Sequence, residues 1–194
     1  FGSCDKNLAI GYQFDGGFAE EMIIPKMCYS YDAAFGVIPV VDDSVYKYSL
    51  VEPLACAIHG VEPLNVTNED DVLIFGGGPI GLMIGDICQN VNLCKSVTIV
   101  ELSETRVELI KKLFPSFIVV NNFSCLDKDY DVIFTANSVP ICHKQAIEIA
   151  AKNARINLFG GLGTSDLVSV DTNKIHYKQL LVTGTHGSNK SHFD

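Results

Sequence analysis

The chain of 194 residues is long enough for one full domain, or for one domain and part of another. Its formal net charge of −9 argues against a nucleic-acid partner, because nucleic-acid binding requires a basic surface and the sequence has no basic cluster. No apolar run approaches the ~18 residues that cross a bilayer, and the first residues lack the pattern of a secretory leader, so we expect a soluble protein with no membrane partner.

The cysteines indicate the redox compartment. There are seven of them, an odd number, and they are scattered with no C-x-x-C pair. Disulfide frameworks and zinc sites both require regular spacings, which are missing here. We therefore predict reduced thiols and a cytoplasmic location.

The first quarter of the chain has β and loop character. Residues 1–48 contain glycine turns and short apolar runs, such as residues 22–24 and 35–41, interrupted by Pro25 and Pro39. The apolar spacing of residues 48–64 then predicts a helix, with Pro53 in its first turn and Pro63 at its end.

From residue 71 onward, short apolar strands alternate with helical patterns. Such alternation is typical of a parallel sheet covered by helices on both faces, and six strands is the count of the doubly wound Rossmann fold, an α/β architecture. The predicted strands are residues 72–75, 97–100, 117–120, 131–135, 155–159 and 180–183. The predicted helices in this part are residues 79–90, 104–113 and 141–151.

A glycine-rich turn follows the first of these strands. Gly76, Gly78 and Gly81 have the G-x-G-x-x-G spacing: the first would allow the tight turn, the second a close approach to a pyrophosphate, and the third close helix packing. Pro79 suits the first helical turn, where backbone N–H groups and the helix dipole would bind a diphosphate. We predict a dinucleotide site that includes these residues and Ile80, although a plain glycine-rich turn has the same pattern.

Two residues after the second strand test the dinucleotide hypothesis. Glu101 ends that strand at the distance expected for the acid that binds the adenosine ribose, and a carboxylate there favours NAD over NADP. Arg106, one turn into the next helix, is placed to contact the adenosine, or to accept a 2′-phosphate. Methyltransferases share a glycine loop and a strand-end acid, and remain an alternative.

Several segments together resemble the zinc-dependent medium-chain alcohol dehydrogenases, and most closely their sorbitol (polyol) dehydrogenase branch. The resemblance covers nearly the whole chain and implies a remnant of the GroES-like catalytic domain in residues 1–48 and an NAD-binding Rossmann domain in residues 49–194. The segments that carry it are Asp15-Gly-Gly-Phe-Ala-Glu20, Glu52-Pro-Leu-Ala-Cys-Ala-Ile-His59, Gly76-Gly-Gly-Pro-Ile-Gly81, Glu101-Leu-Ser-Glu-Thr-Arg106 and Lys178-Gln-Leu-Leu-Val-Thr-Gly184.

The same resemblance implies metal ligands. Glu52 matches the family's glutamate at or near the catalytic zinc, and Cys4 matches the last cysteine of its structural zinc site. A stable zinc site needs three or four converging ligands, and the family's upstream cysteine and Gly-His-Glu motif are missing. We therefore expect a fragment that holds zinc only as part of a full-length enzyme and is inactive alone.

Three further residues would line the crevice at the carboxyl ends of the later strands. Asn137 and Gly160 follow the fourth and fifth strands, and His186 follows the sixth, near the place of the nicotinamide in the family. Asn137 replaces a glycine common in the family, and His186 stands where the polyol dehydrogenases carry larger aromatic and basic residues. Because of these two departures, the resemblance does not identify the substrate.

The function implied by the resemblance is transfer of hydride from a secondary alcohol, a polyol or sugar alcohol, to NAD. Two other readings remain open, a zinc-free quinone or enoyl reductase and a non-catalytic NAD-binding module. Gly76 and Glu52 count against the reductase, because those proteins usually lack both. The family often assembles through the edge of its nucleotide sheet, which makes residues 180–183 a candidate contact in a possible homo-oligomer, but the sequence does not fix the oligomeric state.

Overall fold

Six parallel strands form the centre of the fold. The structure is a computed structural model and describes residues 8–29 and 45–193. The strands lie in the order β3-β2-β1-β4-β5-β6, which is the order of the Rossmann fold and confirms the predicted fold class. The strands are β1 (Asp71–Phe75), β2 (Ser96–Val100), β3 (Ile118–Val120), β4 (Tyr130–Thr135), β5 (Ala150–Asn157) and β6 (Leu181–Thr183).

Helices cover both faces of the sheet. Within the described residues they are α1 (Val45–Tyr48), α2 (Val51–Val61), α3 (Pro79–Asp86), α4 (Glu104–Leu113), α5 (Pro140–Glu148) and α6 (Thr172–Lys178). Strand alternation divides the core between the two faces: Val72 and Ile74 pack with residues of α2, α3 and α4, whereas Leu73 and Phe75 pack with residues of α5. No helix in the described part of the chain is both long and apolar enough to cross a bilayer.

The order of the strands creates the crevice. β1 pairs with β2 on one side and with β4 on the other, so the chain winds in opposite directions from this point. Helices that follow β1 and β4 therefore lie on opposite faces and leave an opening at the carboxyl ends of these strands. In sheets of this type, ligands bind at such a point.

The boundary between α5 and β5 differs from the prediction. The helix predicted to reach residue 151 ends at Glu148, and β5 begins at Ala150 and not at residue 155. The register between β4 and β5 shifts, from Tyr130 opposite Ala150 to Val132 opposite Arg155, and Asn153 has a φ of 63°. The alanines favour a helix locally, but pairing with β4 and the left-handed Asn153 override that preference.

Two other elements also depart from the sequence interpretation. The helix predicted over residues 79–90 is α-helical only to Asp86 and continues as a π-helical turn (Ile87–Val91). Residues 8–29, expected to be mostly β, contain one isolated bridge and a 3-10 helix (Lys26–Tyr29) but no strand. A strand requires a hydrogen-bonded partner, and the described residues place none beside this segment.

The amino ends of β1 and β2 are joined by a charged cluster. Asp71 is 11% exposed at its side chain, and its carboxylate accepts hydrogen bonds from Lys128 Nζ at 2.7 Å, Lys95 Nζ at 2.8 Å and Ser96 Oγ. Burial by itself would raise the pKa of Asp71, but the hydrogen bonds from Lys128, Lys95 and Ser96 hold it well below its usual range.

We expect Asp71→Asn to lower the free energy of unfolding by about 1–2 kcal/mol near neutral pH, a value reduced for solvent screening because Lys95 is 62% exposed. The folded-state pKa of Asp71 lies below the unfolded value of about 3.9. Its contribution is therefore present above about pH 4 and declines as the pH falls further. Urea unfolding near neutral pH and near pH 3 measures this contribution, with the exposed Glu69→Gln as control. If the difference in free energy of unfolding between Asp71→Asn and the unmodified protein were the same at both pH values, the assignment would be contradicted.

Candidate functional site

The chain turns sharply where β1 ends. Gly76 has a φ of +109°, and its N–H continues the sheet ladder by donating to Val100 O at 2.9 Å. A Cβ at this position would lie 2.9 Å from the carbonyl oxygen of Ala136 in the neighbouring strand connection. Both the conformation and the space therefore require glycine, as the sequence predicted.

Gly78, the residue before α3, is a glycine for a different reason. Its backbone is extended, with φ −76° and ψ 178°, a conformation open to any residue. A Cβ there would meet no protein atom within 4 Å. Neither strain nor packing explains the glycine, so the space in front of it is open for a ligand that approaches the backbone.

This open space belongs to a cleft of about 280 Å³ between the carboxyl ends of β1, β2 and β4. Its floor is the glycine turn, and its walls come from the segments that follow β2, β3 and β4. It is lined by Phe75, Gly76, Gly78, Val100, Glu101, Leu102, Arg106, Phe123, Ala136, Asn137, Val139, Ile141 and Cys142.

The acid of the cleft is Glu101, the residue after β2. Its side chain is 6% exposed; Oε2 accepts from Gly77 N at 3.1 Å, Oε1 accepts from Ser103 N at 2.8 Å, and Arg106 lies 3.2 Å from Oε1. The two hydrogen bonds leave other lone pairs of the carboxylate unused, and the side chain lines the cleft. Glu101 can therefore hold the glycine turn and still accept a hydrogen bond from a ligand hydroxyl.

Asn137, on the opposite wall, makes contacts within the protein. Its amide nitrogen donates to Phe75 O at 3.0 Å, and its amide oxygen accepts from Val139 N at 3.0 Å. These bonds join the end of β1 to the start of α5. The Asn137 side chain thus shapes the cleft wall.

Five predicted cofactor residues line the cleft, four others pack next to its lining residues, and His186 lies apart from it. Pro79 and Ile80 form the first turn of α3, and Gly81 packs under the turn with its Cα against the carbonyl of Gly76. Gly160 packs behind Asn137, where a Cβ would overlap the Asn137 backbone. His186 is exposed in the segment after β6, on the other half of the sheet.

Sequence reasoning missed the apolar walls. Phe123 follows β3, Val139 and Ile141 flank the start of α5, and all of them face the cleft. Their signal was present, since each follows a predicted strand end, but apolar residues there are usually assigned to packing. Cys142 also lines the cleft; burial raises the pKa of its thiol, so it stays protonated.

The predicted metal residues do not form a site within the described residues. Glu52 Oε1 accepts a hydrogen bond from Cys56 Sγ at 3.1 Å, and burial, followed by Glu52 itself, raises the pKa of the Cys56 thiol to about 11. Cys4 lies outside the described residues. Within residues 8–29 and 45–193, no group of three or more His, Cys, Asp or Glu side chains is placed to hold a metal ion.

The sheet order and the crevice define the class as a Rossmann domain, a doubly wound α/β fold. No family model matches the sequence. Among characterised proteins, the chain is 27% identical over 95% of its length to L-threonine 3-dehydrogenase of Shewanella loihica, and 28% identical to that of Shewanella sp. strain W3-18-1. It spans about half of these relatives, 53% of their length.

Solved structures lead to the same relationship. The NADH complex of the short chain alcohol dehydrogenase rspB from E. coli CFT073 is 25% identical and superposes over 96% of this chain, and 55% of that one, with a TM-score of 0.80. The 2R,3R-butanediol dehydrogenase of Bacillus subtilis shares the fold at 24% identity, over 81% of this chain and 47% of that one, with a TM-score of 0.69. The resemblance predicted from the sequence is thus confirmed, since the chain is similar to alcohol and threonine dehydrogenases over about half of their length.

Proposed function

We propose that the cleft binds NAD, with the pyrophosphate on the glycine turn and the adenosine ribose on Glu101. The observation that carries this proposal is Gly78, whose missing side chain serves neither backbone conformation nor packing. A diphosphate at this position would meet the amino terminus of α3 and its dipole. Gly76, Pro79, Ile80 and Gly81 complete the turn on either side.

Glu101 supports NAD rather than NADP. Its carboxylate is buried and negatively charged, so it would accept a ribose hydroxyl but would repel a 2′-phosphate. Arg106 neutralises part of that charge from the exposed edge, where its guanidinium would contact the adenosine. Asn137 and Gly160, and beyond them His186, would border the path to the second nucleotide along the carboxyl ends of β4, β5 and β6.

For the whole protein we propose zinc-dependent oxidation of a small secondary alcohol. NAD supplies this chemistry by accepting a hydride. Polyols and sugar alcohols are the class implied by the sequence resemblance. The 27% identity to L-threonine 3-dehydrogenases adds a hydroxy amino acid as a second class.

The proposal that the whole protein binds zinc rests on the family resemblance. Glu52 offers one carboxylate and Cys4 one thiol, fewer than the three or four ligands that a zinc site needs. We therefore assign no step to zinc from these residues.

A proposed domain boundary between residues 48 and 49 accords with the packing of α2 on the core, through Ala57 and Val61.

Cell compartment and assembly are also proposals. The six cysteines within the described residues are all free thiols, which supports a reducing cytoplasm. β6 is an edge strand and Leu181 is 49% exposed, so pairing of two copies through this edge would extend the sheet.

Thermal unfolding with candidate ligands tests the cofactor proposal. At a ligand concentration of about 100 times Kd, binding adds about 2.7 kcal/mol, which corresponds to a rise in Tm of roughly 5–10 °C for a chain of this size. We expect NAD to raise Tm more than NADP, and S-adenosylmethionine to have no effect. A shift with S-adenosylmethionine alone would establish a methyltransferase-type site and overturn the NAD proposal.

A further inference from the structure

The segment after β6 is fastened to helix α2. His59 Nδ1 lies 2.9 Å from Gly187 O, and His192 Nε2 lies 3.0 Å from the Glu62 carboxylate. Asn157, fully buried at the end of β5, donates from one amide nitrogen to Gly60 O at 2.6 Å and to Thr185 Oγ1 at 3.1 Å. The segment is thus tied at Thr185, Gly187 and His192 to α2 and to Glu62, the residue that follows this helix.

Two imidazoles form the centre of this attachment. The rings of His59 and His192 stack with centroids 4.8 Å apart and planes 26° from parallel. The side chain of His192 is 3% exposed, and Ser188 in the same segment is also buried. Such burial, in a segment without a strand or a long helix, indicates a defined position for the chain here.

Hydrogen-bond partners fix the proton positions. Nδ1 of His192 accepts from Asn189 N at 2.8 Å, so the ring proton is on Nε2 and is donated to Glu62. A carbonyl can only accept, so His59 carries its proton on Nδ1 and donates it to Gly187 O. The pair therefore bonds two backbone groups of the segment, the Gly187 carbonyl as acceptor and the Asn189 N–H as donor.

The position of this segment gives the attachment a role in binding. Dinucleotides lie across the crevice of a doubly wound sheet, one nucleotide on each half. Glu101, which would bind the adenosine ribose, follows β2 and so belongs to the half formed by β1, β2 and β3. The residues after β6 stand at the carboxyl end of the other half, where the second nucleotide would lie.

We propose that His59 and His192 are positioning residues that hold residues 184–189 in the conformation that receives the nicotinamide half of the cofactor. This inference rests on the proposed NAD site. Neither imidazole contacts the cofactor; each acts through the backbone of the segment. The adenosine half, bound on the other side of β1, should be insensitive to both.

Comparison of NADH with ADP-ribose tests the proposal, since ADP-ribose lacks only the nicotinamide. His192→Phe keeps the ring stack but removes both hydrogen bonds, and His59→Phe removes the bond to Gly187. We expect each variant to weaken NADH binding by about fivefold to tenfold, the effect of one or two hydrogen bonds, and to change ADP-ribose binding by less than about twofold. The fluorescence of bound NADH should move toward that of free NADH.

Matched variants separate this role from a general structural one. His59→Asn retains an N–H donor at the position of Nδ1 and should recover most of the NADH affinity, and the exposed His176→Phe on α6 should have no effect. Hydrogen exchange of the Asn189 amide should accelerate in His192→Phe while the amides of β1 stay protected.

Three results would overturn the proposal. They are equal loss of both ligands in the variants, unchanged NADH binding in the variants, or a wild-type chain that binds NADH no more tightly than ADP-ribose. Failure of the underlying NAD site would look different, because the wild-type chain would then bind neither ligand.

Discussion

Replacing Gly78 with valine should abolish measurable NAD binding and leave the fold intact. The valine Cβ would project into the cleft at the point where the pyrophosphate approaches the backbone. It would contact no neighbouring side chain or backbone within 4 Å, so it would occupy only the space of the ligand. A steric block of this kind at a phosphate cradle should weaken binding by at least about 100-fold, or about 2.7 kcal/mol. Isothermal titration with NAD measures the loss.

The stability of the same variant is the decisive companion measurement. Gly78 precedes α3 in an extended conformation that valine adopts freely, so only the modest preference for glycine over valine at a helix N-cap is lost, about 1 kcal/mol or less. Gly17→Val is the matched control, because a Cβ there would meet only the Met22 sulfur at an ordinary 3.5 Å. Tight NAD binding by Gly78→Val would remove the observation on which the cofactor proposal rests.

Much of the fold followed from local patterns. The helix predicted over residues 104–113 is α4 (Glu104–Leu113), and β1 begins one residue before its predicted start. These elements have strong apolar periodicity and clear ends, so pairing and packing agree with the local preference. The prediction that Gly76 forms the turn is confirmed for the same reason, since its φ of +109° is a property of the backbone.

The differences arise where distant residues decide the structure. β5 begins at Ala150 because this residue pairs with Tyr130 of β4, and nothing in the local sequence indicates that pairing. α6 was not predicted at all; it has seven residues, and its start is set by the Asp171 side chain, which accepts from Asn173 N at 2.9 Å. A short helix with a polar cap has too little periodicity to be recognised.

The residues of the candidate site also fall into two groups, those predicted from local patterns and those decided by distant parts of the chain. The predicted residues that line the cleft are two glycines, an acid and an arginine at the spacing of a known motif, and an asparagine directly after a predicted strand. The apolar walls and the His59–His192 pair depend on which strand ends meet and on where the chain returns to α2. His59 and His192 are far apart in the sequence, and no local pattern indicates that their rings stack.

Gly81→Ala should have the opposite effect to Gly78→Val, a large loss of stability. A Cβ at Gly81 would overlap the carbonyl oxygen of Gly76, a backbone atom held in the turn by the sheet, so helix α3 would have to move away from β1. Alanine gains up to about 1 kcal/mol over glycine inside a helix, but the overlap should outweigh it and lower the free energy of unfolding by about 3–5 kcal/mol. Urea unfolding at constant pH measures the change.

Gly85→Ala, one turn later in the same helix, is the control for that experiment. It has the same gain in helix propensity, but its Cβ would meet the edge of the Phe117 ring at 3.0 Å, a side chain stacked on Phe114 that can shift by a few tenths of an ångström. We expect a change of no more than about 1 kcal/mol in either direction. If Gly81→Ala were as mild as Gly85→Ala, the close approach of helix and turn would not be rigid. In that case the three glycines could not be divided into those that serve the fold, Gly76 and Gly81, and the one that serves the ligand, Gly78.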